Sequence, residues 1–339
     1  MVAELYEERG VWSVSGASVA GKSHTAVGSG SDDAYSYILV NGGDSVVAAV
    51  ADGAGSETGT SAWGSYTACQ VVKQHATELV KYAASEATAR LAIEKLFLQV
   101  ILAIERRSRR MDLSPKALST TLTVAVLSPN AAVFAQVGDG IIVCDFEGKP
   151  SARIPEAKGE YANETVFVTS SGALDGHLRF EYIRGGRNSF AISTDGLSYK
   201  ILNKQQGGTA YAPFFVSIWK QLTVPSVVTT KSLETFLDKL DDQTGDDKTL
   251  VVGTRTDPEA FTEHSSSWSQ GESASPFGTD QYESTSSSHI VVVNTLQEKN
   301  APFAATDVVP ESRDRMDERR TLTQRVLYWF RCFMRFVGG

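Results

Sequence analysis

The sequence predicts an α+β fold in which antiparallel strands form the sheets and long helices flank them. Short apolar segments typical of buried strands, at 46–51 and Ser189–Ser193, each lead into an Asp-Gly pair. Residues 119–146 alternate such segments with tight turns, which indicates an antiparallel meander. Residues 58–111 carry apolar side chains at steps of three and four, the spacing of amphipathic helices.

The first strands follow one another closely in the chain. Trp12–Val19 alternates loosely, as an edge strand does, and the Gly- and Ser-rich segment 21–31 is predicted to be a loop. Asp32 and Asp33 come directly before the next apolar segment. The remaining strands are predicted at 35–40, 46–51, 119–127, 131–137, 141–146, 165–169, Ser189–Ser193 and 249–253.

Four segments are predicted to be helices: 58–84, 86–111, 211–222 and 231–240. The second ends in Arg106, Arg107, Arg109 and Arg110, which favour the negative end of a helix dipole. This basic run is interpreted as a solvated helix end. Residues 151–188 are rich in glycine and are predicted to hold one strand and a mobile flap.

Composition divides the chain into three parts. Residues 10–255 are predicted to form the globular domain, and 256–315 form a Ser-rich flexible linker. Residues 316–339 are predicted to be an amphipathic helix in which 321–338 combine basic and aromatic side chains. Such a helix fits a membrane surface or the groove of a partner protein, and packing against the domain is the alternative.

Charge and cysteine content exclude several classes. The 339 residues carry a net charge of −8, which argues against general nucleic-acid binding. Three widely spaced cysteines, Cys69, Cys144 and Cys332, indicate reduced thiols in a cytoplasmic protein. The acidic N-terminus does not resemble a signal peptide, and no segment reaches the roughly 20 apolar residues of a membrane span. We therefore expect a cytoplasmic location, with peripheral contact to the inner membrane through 321–338 as an option.

Acidic side chains recur at turns beside the apolar strands. Because strand ends can meet at one edge of a β-sandwich, these side chains could converge. Sites with oxygen ligands and no histidine or cysteine favour Mg²⁺ or Mn²⁺ over zinc. Two such ions can lower the pKa of a shared water and clamp a phosphoryl group, which predicts phosphoester hydrolysis. Solvated turns are the alternative. The acidic positions are Asp32, Asp33, Asp52, Asp139, Asp195, Asp246 and Asp247.

Several short motifs occur in the order found in metal-dependent protein phosphatases of the 2C type. They are 50–56 (Val-Ala-Asp-Gly-Ala-Gly-Ser), 119–122 (Ser-Thr-Thr-Leu), 137–140 (Val-Gly-Asp-Gly), 193–197 (Ser-Thr-Asp-Gly-Leu) and 246–252 (Asp-Asp-Lys-Thr-Leu-Val-Val). Residues 10–255 thus resemble this family, and 16–24 resemble the opening of small bacterial members. The resemblance implies a four-layer α-β-β-α sandwich with two central antiparallel sheets.

The resemblance also implies two Mg²⁺ or Mn²⁺ ions and roles for the acidic residues. Asp52 would bridge both ions, and Asp33 would orient a metal-bound water. A hydroxide bridging the ions would attack the phosphorus of phosphoserine or phosphothreonine directly. The substrate would be a phosphorylated protein made by a cognate Ser/Thr kinase. The other implied metal ligands are Asp32, the Gly53 carbonyl, Asp195 and Asp246.

Three positions depart from the family pattern. Ala54 stands where eukaryotic members carry a histidine that serves as general acid, and His24 is a candidate substitute. Asp32 replaces a frequent Glu or Gln. Some members bind a third ion through the equivalent of Asp139 and a second aspartate, but Tyr199 occupies the second position, which argues against a third ion. The alternative function is a pseudophosphatase that binds phosphoproteins.

Overall fold

Two antiparallel sheets of five strands form the centre of the domain. The computed structural model describes residues 10–54, 59–154, 165–223, 229–240 and 244–255. The strands are Trp12–Val19 (β1), Ala34–Val40 (β2), Ser45–Ala51 (β3), Leu122–Leu127 (β4), Ala131–Val137 (β5), Ile141–Phe146 (β6), Lys149–Arg153 (β7), Arg179–Arg184 (β8), Ser189–Ser193 (β9), Leu202–Asn203 (β10), Thr209–Ala210 (β11) and Lys248–Arg255 (β12). The first sheet has the order β1-β12-β9-β6-β7 and the second β2-β3-β4-β5-β8, whereas β10 and β11 form a separate ribbon.

Helices cover the outer face of each sheet. Those on the second sheet are Ser61–Gln74 (α2), Ala76–Tyr82 (α3) and Glu86–Arg110 (α4). Those on the first sheet are Ala212–Leu222 (α6) and Thr230–Lys239 (α7). Two short helices, Lys22–Ala26 (α1) and Ser198–Ile201 (α5), lie in the connections. The predicted four-layer α-β-β-α sandwich is therefore confirmed.

Three hydrophobic cores separate these layers. Phe97 and Leu122 belong to the core between α2–α4 and the second sheet, and Phe215 to the core between the first sheet and α6–α7. Trp12 and Phe190 meet edge to face, with ring centroids 5.5 Å apart, in the core between the sheets. The same core holds Tyr35 and Phe134 of the second sheet, so aromatic rings from the inner faces of both sheets are buried together.

Three local predictions are wrong. The helix predicted at 58–84 is two helices that meet at His75, whose backbone (φ −98°, ψ 5°) leaves the helical region. Apolar spacing continues across this break and so did not reveal it. Residues 165–169 form a coil and turn, and the strands that enter 151–188 are the end of β7 and the whole of β8. The charged residues of β8 alternate with half-buried aromatics because it is an edge strand. The loop predicted at 21–31 contains α1.

Other predictions fall outside the part of the chain that is described. These are the linker at 256–315, the amphipathic helix at 316–339 and residues 155–164 of the region predicted to hold the flap. Among the described helices, none is long and apolar enough to cross a bilayer. The predicted edge position of β1 is confirmed, because β1 pairs only with β12 in the first sheet.

Candidate metal centre

The strand register brings the acidic residues to one edge of both sheets. In the second sheet, the end of β3 lies beside the start of β2, and the end of β5 lies beside the start of β4. In the first sheet, the end of β9 lies beside the starts of β6 and β12. Asp33, Asp52, Asp139, Asp195 and Asp246 occupy these ends and the connections between them. The cluster therefore draws on both sheets.

Three of these carboxylates are close enough to share a cation. Oxygen atoms of Asp52, Asp139 and Asp195 all lie within 4.8 Å of one another. Asp33 and Asp246 are near enough for their charges to raise the pKa of Asp52. The five carboxylates thus form one electrostatic unit, which we call the acidic cluster.

Hydrogen bonds hold individual members of the acidic cluster in place. The Thr194 hydroxyl donates to Asp33 Oδ2 over 2.8 Å, and the Thr165 hydroxyl donates to Asp139 Oδ2 over 2.6 Å. The backbone of Asp52 is fixed by Thr121, whose hydroxyl accepts from the Asp52 amide at 3.0 Å. The carboxylates of Asp33 and Asp139 are therefore oriented by neutral hydroxyl donors.

Two oxygens of the acidic cluster fit a bound cation or a water that the cation carries. Asp33 Oδ1 and Asp195 Oδ1 are buried and have no hydrogen-bond partner among the described residues. A buried carboxylate oxygen without a partner is costly, and a cation would offset that cost. The donor set consists of oxygens only, which suits Mg²⁺ or Mn²⁺. The residues present thus fit the metal ions that the sequence predicts.

Crowding changes the protonation of the acidic cluster when no metal is bound. Burial, followed by the charges of neighbouring carboxylates, raises the pKa of Asp52 and of Asp33 well above the usual range. The same causes raise the pKa of Asp195 to about 6. A divalent cation favours the ionised form of each group and would therefore displace these protons.

In the absence of metal, stability should fall as the pH rises from about 4 to above 6. Folded Asp195, with a pKa of about 6, binds a proton more tightly than the unfolded chain, in which the same carboxyl has its ordinary pKa of 3.8. The stabilisation is complete at low pH and is lost as Asp195 ionises. Melting temperatures measured in EDTA at several pH values should decline more steeply for the wild type than for Asp195→Asn. Parallel curves would contradict the prediction.

Asp32 follows the loop 21–31, which we call the first loop, and Gly53 follows β3. Both lie near Ser61 at the start of α2. Asp32 Oδ2 accepts a hydrogen bond from the Ser61 hydroxyl at 2.9 Å, and the Asp32 carbonyl accepts one from the Gly53 amide at 3.2 Å. A Cβ added at Gly53 would lie 2.6 Å from that carbonyl oxygen, so the close approach requires glycine. The Asp32 carboxylate is thus held by α2, whereas that of Asp33 joins the acidic cluster.

Asp247 anchors the first loop, a role that sequence reasoning missed. Its carboxylate accepts hydrogen bonds from the amides of Gly21, at 2.8 Å, and Asp32, at 2.6 Å. His24 Nδ1 lies 3.2 Å from Asp247 Oδ2 and also 3.2 Å from the Gly30 carbonyl oxygen. The available signal was the pairing of β1 with β12, which places the segment after β1 beside Asp247.

Comparison with known proteins gives a consistent assignment. The family model for protein phosphatase 2C matches residues 20–238, more than half of the chain. Serine/threonine-protein phosphatase 3 of Escherichia coli (strain K12) is 27% identical over 147 residues, which cover 42% of this chain and 57% of that protein. The chain thus matches little more than half the length of this curated relative.

Two solved structures share the fold. The catalytic domain of the serine/threonine protein phosphatase PstP, in complex with two manganese ions, aligns with a TM-score of 0.50 at 15% identity, covering 73% of this chain and 99% of that one. A bacterial serine phosphatase carrying an arginine-to-lysine substitution gives a TM-score of 0.50 at 14% identity, covering 71% and 96%. Given the fold, the acidic cluster and the family match, the chain belongs to the protein phosphatase 2C family.

Proposed function

We propose that the protein is a Mg²⁺- or Mn²⁺-dependent phosphatase that hydrolyses phosphoserine and phosphothreonine in proteins. The observation that carries this proposal is the convergence of five carboxylates from both sheets, with buried oxygens of Asp33 and Asp195 left without a donor among the described residues. The proposal is also supported by membership of the chain in the protein phosphatase 2C family, by the name of the E. coli relative and by the manganese complex of PstP.

The metal ions would be held by carboxylates of the acidic cluster. Asp52 lies at the centre, because the charges of Asp33, Asp139, Asp195 and Asp246 all act on it. It would therefore contact both ions, with Asp195 and Asp246 completing one site and the Gly53 carbonyl contributing to the other. Bound Mg²⁺ or Mn²⁺ would supply Lewis acidity, lowering the pKa of water and neutralising the charge of the phosphoryl group.

Asp33 is suited to orient the attacking water. The Thr194 hydroxyl occupies Asp33 Oδ2, so Oδ1 is the oxygen that would accept a hydrogen bond from water. One carboxylate oxygen of Asp32 accepts a hydrogen bond from the Ser61 hydroxyl. Its other oxygen is therefore the one that would contact a metal ion, either directly or through a water. A positioned acceptor lowers the entropic cost of bringing water to phosphorus.

His24 is the candidate that would protonate the leaving serine or threonine oxygen. Asp247 lies against Nδ1 and orients the ring, so Nε2 is the nitrogen that would donate. The His24 side chain retains 20% exposure, which leaves it accessible to solvent. The substrate would be a phosphoprotein, and a Ser/Thr kinase is the class of enzyme that would supply it.

Hydrolysis of p-nitrophenyl phosphate tests this function. Purified full-length protein should turn over the substrate with Mn²⁺ or Mg²⁺ and fall to background with excess EDTA, because the carboxylates alone repel a phosphate dianion. Asp238→Asn, a change on the exposed face of α7, is the matched control and should behave as wild type. Metal-induced thermal stabilisation without turnover by either ion would instead favour a phosphoprotein-binding pseudophosphatase.

A further inference from the structure

A cleft with a basic and aromatic wall lies on the segment that follows Asp195 of the acidic cluster. It has a volume of about 260 Å³ and is lined by Tyr199, Leu202, Asn203, Lys204, Gln205 and Gln206. Lys204 Nζ lies 3.7 Å from the centroid of the Tyr199 ring, which is 55% exposed. The Tyr199 ring thus holds the ammonium group by a cation–π contact at the surface.

The protein scaffold fixes this cleft relative to Asp195. Leu197 and Ile201, on either side of Tyr199, are fully buried in the core beneath the first sheet. The Tyr211 amide donates to the Ile201 carbonyl at 2.8 Å, and β10 pairs with β11 beyond it. The cleft is therefore attached to the same short helical segment that begins at Asp195.

The positive charge of Lys204 acts on the acidic cluster. Its ammonium is close enough to lower the pKa of Asp195, against the effects of burial and of the neighbouring carboxylates. Arg179, another basic side chain beside the acidic cluster, already donates to the carbonyls of Gly138 and Ile154. An anionic group on a substrate would be attracted to the wall formed by Lys204.

The spacing suits a residue that flanks the phosphoserine. Tyr199 lies four residues beyond Asp195 along helical backbone, at about 1.5–2 Å per residue, so their Cα atoms are about 6–8 Å apart. An extended peptide rises about 3.3 Å per residue. A side chain two or three residues from the phosphoserine would therefore reach Lys204 while the phosphate lies at the acidic cluster.

We propose that this cleft selects substrates with an anionic side chain, a carboxylate or a second phosphate, two or three residues from the phosphoserine or phosphothreonine. Lys204 would bind that group, and Tyr199 would position the ammonium. The proposal rests on the phosphatase function proposed above. It adds a determinant of substrate choice that lies outside the acidic cluster.

The test compares three phosphothreonine peptides, with Glu, phosphoserine or Gln at the second and third positions on both sides. Full-length wild type with Mn²⁺ should show a kcat/KM about fivefold higher for the anionic peptides than for the Gln peptide, as expected for one partly exposed ion pair. The ratio of kcat/KM for the anionic peptides to that for the Gln peptide should fall to about one in Lys204→Gln. It should stay above one in Lys204→Arg and drop below one in Lys204→Glu. Tyr199→Phe should keep the ratio, and Tyr199→Ala should lower it.

Lys220→Gln, on the exposed face of α6, is the matched control and should keep the wild-type ratio. A ratio preserved only for the phosphoserine peptide would identify phosphate as the anion, and one preserved only for the Glu peptide would identify carboxylate. The proposal would be overturned if Lys204→Gln lowered kcat/KM equally for all three peptides. It would also be overturned if the wild type showed the same kcat/KM for the anionic peptides and the Gln peptide. Absence of turnover on every peptide by the wild type would instead overturn the phosphatase function itself.

Discussion

Asp52→Asn should lower turnover at least on the order of a thousandfold, equivalent to about 4 kcal/mol of transition-state stabilisation. The same change should raise the melting temperature of the metal-free protein. The half-buried Asp52 is surrounded by four other carboxylates, so a neutral amide removes both their repulsion and part of the cost of desolvation. An amide also donates hydrogen bonds to the neighbouring carboxylates. On the proposed function, the residue at the centre of the acidic cluster would thus be unfavourable for stability and required for metal binding.

Turnover of p-nitrophenyl phosphate and melting curves with EDTA or Mn²⁺ check both parts. The wild type should be stabilised by Mn²⁺, whereas Asp52→Asn should be stabilised much less, because stabilisation follows affinity for the native state. Asp238→Asn should match the wild type in turnover, in the melting temperature with EDTA and in the melting temperature with Mn²⁺. Near-normal activity in Asp52→Asn, or a lower melting temperature in EDTA, would contradict this account of the acidic cluster.

Gly196→Ala should separate Asp195 from the Asp246–Asp247 turn. A Cβ at this position would lie 1.9 Å from the Asp247 carbonyl oxygen and 3.6 Å from the Asp246 Cβ. Because the neighbour is backbone, no side-chain rotation can relieve the clash, and one of the two turns must move. We expect destabilisation of about 1–3 kcal/mol, typical of overpacking, and an affinity for Mn²⁺ at least tenfold lower.

Gly30→Ala is the matched control, since nothing lies within 4 Å of its added Cβ. Mn²⁺ titrations followed by melting temperature would distinguish the two variants. If Gly196→Ala bound Mn²⁺ with wild-type affinity, the close contact between the two turns would not be what positions Asp195 and Asp246. A loss in Gly30→Ala of the same size would show that the effect is not specific to this contact.

The sequence predicted those parts of the fold that local periodicity determines. β1 and β9 were predicted to the residue, because each is a short apolar or alternating segment bounded by turn residues. β8 was missed because an edge strand keeps charged residues on a half-buried surface, so its pattern is weak. The break at His75 was missed because the apolar face continues from α2 into α3.

The sequence predicted which aspartates form the candidate site but not the direction in which each side chain points. Asp-Gly pairs after apolar strands indicated which aspartates could converge, and the structure brings Asp52, Asp139 and Asp195 together. Adjacent residues in an extended chain point in opposite directions, so the order of Asp32 and Asp33 could not decide which one faces the acidic cluster. The anchoring role of Asp247 depends on contacts with Gly21 and Asp32, more than 200 residues away in sequence.

The position of β12 has a consequence for the order in which the domain can assemble. β12 is the last strand among the described residues, yet it lies between β1 and β9 and pairs Trp12 with Arg255. All strands of the second sheet have been synthesised by residue 184, whereas the first sheet must wait for the chain to reach 255. Pairings of such long separation form slowly because the intervening loop must be closed first. Asp246 lies two residues before the start of β12, so the step that closes the first sheet also brings in the last carboxylate, and a nascent chain has no complete acidic cluster before then.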